Sequence, residues 1–316
     1  MPGCGIMQQT TRAPCAPLTS AGAKTTLVNK PKQTRKQKRM EIANENIPIN
    51  GGTLSSENTP TSESTPTSEN TSAQTRGTLY GVSVGPGDPE LLTLKAVRII
   101  KQAQVIAVPN IGHGRQTALG IVQEHIQGKP LIDCSTPMLR DHARVVEAYQ
   151  RVAAEIACAL DQGKSVAYVA IGDIGIYSTY FYIHEILVAQ GYSAQVVPGV
   201  PSFCAAAARL GIPLCEGPEA ITIAPVITGN AAQAAMNVPG TKVFMKSGRD
   251  LPAVREMVER AGLLDSTSLV ANCGLPDEAV YPKLAQVPAD MSDYFTLVIA
   301  KEPIDKEQQA AVNISE

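Results

Sequence analysis

From Gly77 onward the chain alternates between short continuous apolar runs and longer stretches with apolar residues every three or four positions. The short runs have the length of strands, and the longer ones have the period of helices with one buried face. "TLYGVSV" predicts a first strand, and "PELLTLKAVRIIKQ" a helix opening at Pro89 with Leu91, Leu94, Val97 and Ile100 on its inner face. "VIAVPN" and "PLIDCST" predict two further strands, separated by a helix that Gly128 closes. The longest helix is expected over "RDHARVVEAYQRVAAEIACALDQG", with Asp141 as N-cap and Gly163 just past its end. Strand "SVAYVAIGD", helix "YSTYFYIHEILVAQG" and strand "SAQVVPG" complete a first set. A short helix, "PSFCAAAARLG", is expected to be capped by Ser202. Strands then recur at "AITIAPVI", "TKVFMKS", "TSLVANCG" and "DYFTLVIAK", with helical stretches between them. Because the runs are continuous rather than alternating, their strands are expected to be covered on both faces, as in a mostly parallel sheet. The pattern predicts an α/β chain of two lobes, residues 77–198 and 199–305, followed by a polar tail over 306–316.

Residues 1–76 lack any such period. "ENTPTSESTPTSENTS" is a near-tandem repeat that cannot bury enough surface to offset its chain entropy, so a disordered, low-complexity tail is expected. The basic run "KPKQTRKQKRM" reads as a solvated tail, a targeting peptide, a nucleic-acid or membrane tail, or the upstream part of a chain that begins at Met40. The whole chain has a formal net charge of −2, which gives no reason to expect a nucleic-acid or anionic-membrane partner. No apolar stretch approaches the roughly 20 residues that span a bilayer. Seven scattered cysteines without a C-x-x-C pair argue against a zinc or redox site and fit a reducing cytoplasm. The histidines lack metal-ligand spacing, so no metal is expected, and no nucleophile triad can be assembled.

Five stretches carry candidate chemistry, each at the end of a predicted strand. In "VGPGDP", Gly85 and Gly87 open backbone angles and let another chain or a ligand come close, while Asp88 reads as an N-cap before Pro89. A plain tight turn explains the same residues. The spacing is not that of a dinucleotide fold, and the second strand ends in Pro109 and Asn110 rather than an acid, which disfavours a nicotinamide enzyme. In "GDIGIYST", Gly172, Asp173 and a row of hydroxyls beginning at Tyr177 lie at the carboxyl end of a buried strand, where open α/β sheets bind ligands. The remaining three are "VVPGVPSFCAAAARLGIPLCEG", whose alanines permit a close neighbour, "VFMKSG" and "VANCGLPDE". Cys273 in the last reads as a small buried side chain rather than a nucleophile.

In this order the five stretches resemble the tetrapyrrole methylases, S-adenosylmethionine-dependent enzymes with two α/β lobes. The resemblance covers about Gly77 to Lys301. "YSTYFY" and "PGVPSFCAAAARLGIPLCEG" look most like the branch that methylates C20 of precorrin-2 or its cobalt complex; no residue decides between the two substrates. One departure is Ile174, where the family usually has proline. The resemblance implies a homodimer with S-adenosylmethionine held by Pro86, Gly172, Asp173, Ile174, Tyr177, Ser202, Phe203, Met245, Cys273 and Gly274. It puts Gly85, Gly87 and Asp88 on the tetrapyrrole side. The methylated carbon must then lose a proton, for which Asp88, Tyr177 or solvent unaided are the candidates. Such a substrate is fringed with carboxylates, so Arg115, Arg140, Arg144, Lys246 and Arg249 are candidate partners. Methylation at another ring position and a non-catalytic cofactor-binding module stand as alternatives.

Overall fold

The computed structural model describes residues 75–109, 117–136, 142–226 and 230–302, all within the compact unit Glu69–Glu316. The tail before Thr75, Arg115, Arg140, the Asp141 cap and the tail over 306–316 lie outside the described residues.

Two five-stranded sheets organise the chain. The first comprises β1 (Leu79–Ser83), β2 (Val105–Val108), β3 (Leu131–Asp133), β4 (Val166–Ala170) and β5 (Ala194–Val197). Its order is β3-β2-β4-β1-β5 and every pairing is parallel. The central strands are almost wholly buried, whereas edge strand β3 is exposed at both ends. Helices α1 (Leu94–Gln102) and α2 (Thr117–Val122) cover one face. Helices α3 (His142–Asp161) and α4 (Tyr180–Ala189) cover the other through Val152, Ile156, Leu160, Tyr180, Ile183 and Leu187.

Helix α5 (Ser202–Leu210) carries the chain to the second sheet. That sheet holds β6 (Ile221–Pro225), β7 (Thr241–Met245), β8 (Thr267–Ala271), β9 (Ala279–Tyr281) and β10 (Thr296–Ala300), in the order β6-β7-β10-β8-β9. Only β6 and β7 run parallel; β10 and β9 pair antiparallel with their neighbours, so this sheet departs from the mostly parallel expectation. The short 267–281 hairpin explains the departure, since two antiparallel strands need no crossover helix. Helices α6 (Asn230–Met236) and α7 (Leu251–Arg260) back one face of this sheet. The other face receives Phe203 and Ala205–Ala207 of α5, together with Leu91 and Ile176 from loops of the first sheet.

Two helix starts differ from expectation. Asp88 does cap Pro89, accepting a 2.8 Å bond from Glu90 N, but the element it caps is a single 3-10 turn, Pro89–Leu91. The α-helix begins only at Leu94, where the Thr93 hydroxyl accepts from Ala96 N. The register therefore shifts: Ala96, Ile99 and Ile100 face the core, and Leu94 is 90% exposed. The second is α5, whose N-cap is Pro201; Ser202 is its first helical residue and no side chain caps it.

Candidate functional site

Strands β1 and β4 are neighbours, yet the chain leaves β1 for β2 on one side and leaves β4 for β5 on the other. Their carboxyl ends thus form a switch point, the usual place for a ligand in an open parallel sheet. The loops leaving them are tied together, since Gly85 N donates to Gly172 O at 3.2 Å and Gly172 N to Gly85 O at 2.6 Å. Both glycines have positive φ, 74° and 71°.

Their neighbours are used differently. A Cβ on Gly87 would lie 2.5 Å from the Cys273 carbonyl oxygen and 2.7 Å from Gly274 C, so glycine is needed there because the 273–275 main chain abuts it. Gly274, with φ 76°, meets Asp88 N in the same way at 2.6 Å. At Gly172 an added Cβ would find nothing nearer than Ser202 N at 4.0 Å. The bare main chain there faces open space, bounded by the uncapped first turn of α5, whose leading amides have no partner within the helix.

Asp173 holds the second loop in shape. Its Oδ2 accepts from Gly199 N at 2.8 Å and from the Ser83 hydroxyl at 3.4 Å, and its Oδ1 accepts from Gly175 N at 2.8 Å. Buried Ser83 Oγ in turn accepts from Ile174 N at 2.8 Å. The Ile174 side chain is fully buried in the first sheet's core, which fixes the loop by packing where a proline ring is absent. Asp173 therefore acts on the site through the backbone it organises. Ser83 was not legible as a site residue because its role depends on a neighbour 90 positions away.

Among the described residues three non-glycine residues have left-handed backbones, Tyr177 (φ 50°), Lys246 (φ 59°) and Asn272 (φ 52°). Each follows a strand, and each falls within one of the motifs singled out from the sequence. The Tyr177 hydroxyl donates to Ile223 O at 3.1 Å, and Lys246 Nζ donates to Tyr177 O at 3.2 Å. Burial lowers the Lys246 ammonium's pKa and raises that of the Tyr177 phenol. Met245 ends β7 beside them and packs with Phe203 in the shared core.

A cavity of about 530 Å³ opens beside α5, lined by Asp88, Leu91, Cys204, Arg209, Cys273 and Glu278 among others. It joins Asp88 of the opening motif to Cys273 and Gly274 of the last. Arg209 Nε donates to Glu278 Oε1 at 2.7 Å, and Glu278 Oε2 accepts from Gly274 N at 2.7 Å. Burial disfavours the Glu278 carboxylate, but Arg209 and the Gly274 amide outweigh it and hold its pKa below the ordinary value. Burial, and then the Glu278 charge, push the Cys273 thiol up to about 11, so it is protonated at neutral pH. Arg209 was missed in the sequence because it reads as a basic residue closing a helix; only the fold brings it to Glu278.

Among the described cations expected to meet carboxylates, Lys246 is the one placed beside the second loop. Arg144 is exposed on α3, and Arg249 lies in a 3-10 turn near Tyr294. Neither lines the cavity.

Residues 78–288 match the family model of the tetrapyrrole (corrin/porphyrin) methylases. The chain belongs to this family. Among curated relatives of this chain is the cobalamin biosynthesis protein CobIJ of Mycobacterium tuberculosis, 34% identical over 235 residues, covering 71% of this chain. The chain spans about half the length of that relative, 46%. The precorrin-2 C(20)-methyltransferase of a Sinorhizobium species is 31% identical over 71% of this chain and 94% of its own length. The cobalt-precorrin-2 C(20)-methyltransferase of Salmonella typhimurium is 28% identical over 72% and 97%. Among solved structures, the cobalt precorrin-4 methyltransferase CbiF superposes with a TM-score of 0.58 at 20% identity, over 72% of this chain and 96% of that chain. Uroporphyrin-III C-methyltransferase of Thermus thermophilus, complexed with S-adenosylhomocysteine, gives 0.53 at 22% identity over 72% and 98%. At those identities the structures support the fold.

Proposed function

We propose that this chain transfers a methyl group from S-adenosylmethionine to C20 of precorrin-2 or its cobalt complex, a step of corrin synthesis. The observation that carries the reading is the match to C20-methyltransferases along nearly the whole of their length. The second loop fits the donor. An added Cβ at Gly172 would meet nothing nearer than Ser202 N at 4.0 Å, the amides of Ser202 and Phe203 are uncapped, and the thioether of Met245 packs in the same core as Phe203. The amides suit an amino-acid carboxylate, since a helix N-terminus favours negative charge. When bound, the donor supplies a methyl group on a sulfonium, whose charge disappears on transfer.

The chain's own contribution is then to hold and orient. Positioning two reactants converts an encounter into an intramolecular event and supplies a large share of the rate. Residues Pro86, Gly172, Asp173, Ile174, Tyr177, Ser202, Phe203, Met245, Cys273 and Gly274 are the proposed donor set, with Asp173 and Ile174 acting through the main chain. Gly85, Gly87 and Asp88 are assigned to the macrocycle side, and the cavity beside Asp88 supplies apolar walls for it. Of the two candidates for proton removal, the Tyr177 hydroxyl is engaged with Ile223 O and its pKa is raised. Asp88 is the better placed of the two, although its capping bond to Glu90 N already accounts for it.

We also infer a homodimer. Helix α4 is apolar around its circumference, yet only one side meets the core; Phe181, Tyr182 and Val188 are 36%, 51% and 47% exposed. Such a helix is normally covered on both sides. Among the described residues no helix is long and apolar enough to cross a membrane, and the thiols of Cys134, Cys204, Cys215 and Cys273 suit a reducing compartment such as the cytoplasm.

The test is anaerobic incubation of the purified chain with S-adenosylmethionine and either metal-free or cobalt-loaded precorrin-2, reading product mass and the methyl position by NMR. A methyl at C20 is expected. A methyl elsewhere, or none with either substrate, refutes the proposal.

A further inference from the structure

Strained backbone persists where its surroundings force it, and it concentrates at functional sites. Here two of the three strained non-glycine residues found among the described residues hold each other. Tyr177, in the loop after β4 of the first sheet, is gripped twice by the second sheet. Its hydroxyl reaches the Ile223 carbonyl in the middle of β6, and its own carbonyl receives the Lys246 ammonium from the end of β7. Strands β6 and β7 are adjacent and parallel, with Ile223 paired to Val243, so both holds come from one rigid edge.

The Lys246 contact is unusual in kind. Its ammonium is partly buried and bonded to a neutral carbonyl, and among the described residues no carboxylate forms an ion pair with it. Burial lowers its pKa, as expected of a cation without a counter-charge. A cation kept there at such cost, on a left-handed residue where asparagine or glycine sits more easily, implies that its reach across to Tyr177 matters.

We propose that Tyr177 and Lys246 form a latch between the two sheets that sets the spacing of the loop after β4 from β6 and the end of β7, and so how tightly the methyl donor is held. The inference rests on the methyltransferase reading for the identity of the ligand, but the latch is a property of the free chain. Both are positioning residues here: they act through the spacing of the Gly172–Thr179 loop and Met245. The hydroxyl of Tyr177 fixes the loop's tip, and the ammonium of Lys246 fixes its carbonyl, so losing either frees the same segment.

The experiment uses the full chain with Tyr177→Phe, Lys246→Asn and the double variant. Asparagine tolerates a left-handed backbone while lacking the reach, and Tyr177→Phe removes a single oxygen, so at least one variant should fold. Two readouts are needed: calorimetric titration with S-adenosylhomocysteine, and amide hydrogen exchange of residues 173–179 without ligand. Each single change is expected to weaken affinity about tenfold, the loss of one hydrogen bond's worth of positioning, and to speed exchange in that segment. Because both act on one segment, the double variant should be little worse than the weaker single one. Lys246→Arg, which keeps a long donor, should recover most of the affinity. Wild-type exchange rates in both single variants overturn the latch, whether or not any ligand binds. So does unchanged affinity, additive loss in the double variant, or loss that tracks an equal fall in the melting temperature of the free chain. Absence of binding by the wild type would instead remove the donor assignment and leave exchange to decide the latch.

Discussion

The loops that leave β1 and β4 look alike in sequence, each a strand running into glycines and an aspartate, and they do opposite things. In the first, Gly87 is bare because the 273–275 main chain presses against it, and Asp88 caps a turn. In the second, Gly172 is bare with open space above it, and Asp173 gathers Ser83, Gly175 and Gly199 around one carboxylate. A glycine next to a strand end thus reports that something comes close, without saying whether it is the protein itself or a ligand.

Perturbing the two loops sharpens that contrast, beginning with the largest effect. Gly87→Ala puts a methyl group 2.5 Å from the Cys273 oxygen, and backbone on both sides leaves no flexible atom to yield. It should cost about 3 kcal/mol and lower the thermal midpoint by roughly 6–12 °C, read by calorimetry. Gly172→Ala meets no such neighbour, so only its left-handed angle opposes it, at about 1–2 kcal/mol. Its main effect should fall on S-adenosylhomocysteine affinity; an equal stability loss in both variants would erase the distinction between the loops.

Next comes Asp173→Asn. One amide oxygen cannot replace two carboxylate oxygens that serve three donors, so a loss of about 1–3 kcal/mol is expected in urea unfolding. Donor affinity should fall with it, because the loop's shape depends on that carboxylate. A smaller effect concerns Cys273, whose folded pKa of about 11 exceeds the roughly 8.5 of a free thiol. The folded chain then keeps a proton that the unfolded chain releases. Its contribution is complete below about pH 8.5 and is lost as pH rises towards the folded value. Cys273→Ser should therefore flatten the alkaline slope of unfolding free energy relative to wild type; identical slopes would contradict the assigned burial. The smallest effect is expected for Asp88→Asn. Asparagine caps as well as aspartate, and turnover should stay within about threefold, well short of the hundredfold or more that a required general base supplies. A drop of that larger size would make Asp88 the proton acceptor.

Much of the fold could be read from the sequence because strands buried on both faces announce themselves as unbroken apolar runs, as at β4 and β10. The register of α1 could not. Leu91, Leu94, Val97 and Ile100 keep helical spacing, but the turn at Pro89–Leu91 uses up part of the pattern before the helix begins. Likewise β9, three half-buried residues, has too little length to register as a period. In the site, the motif ends were visible because glycine, proline and aspartate mark sharp backbone changes. The partners that tie those ends together, Ser83 for Asp173, Ile223 for Tyr177, and the pair Arg209 and Glu278, are ordinary in sequence and acquire meaning only through proximity.

The paired hydrogen bonds between Gly85 and Gly172 couple the two loops without using any side chain. Neither segment can be displaced on its own unless both bonds break. Whatever occupies the cavity beside Asp88 therefore shares a mechanical frame with whatever rests on Gly172, and by linkage any influence of one occupant on the other's affinity must be returned in equal measure.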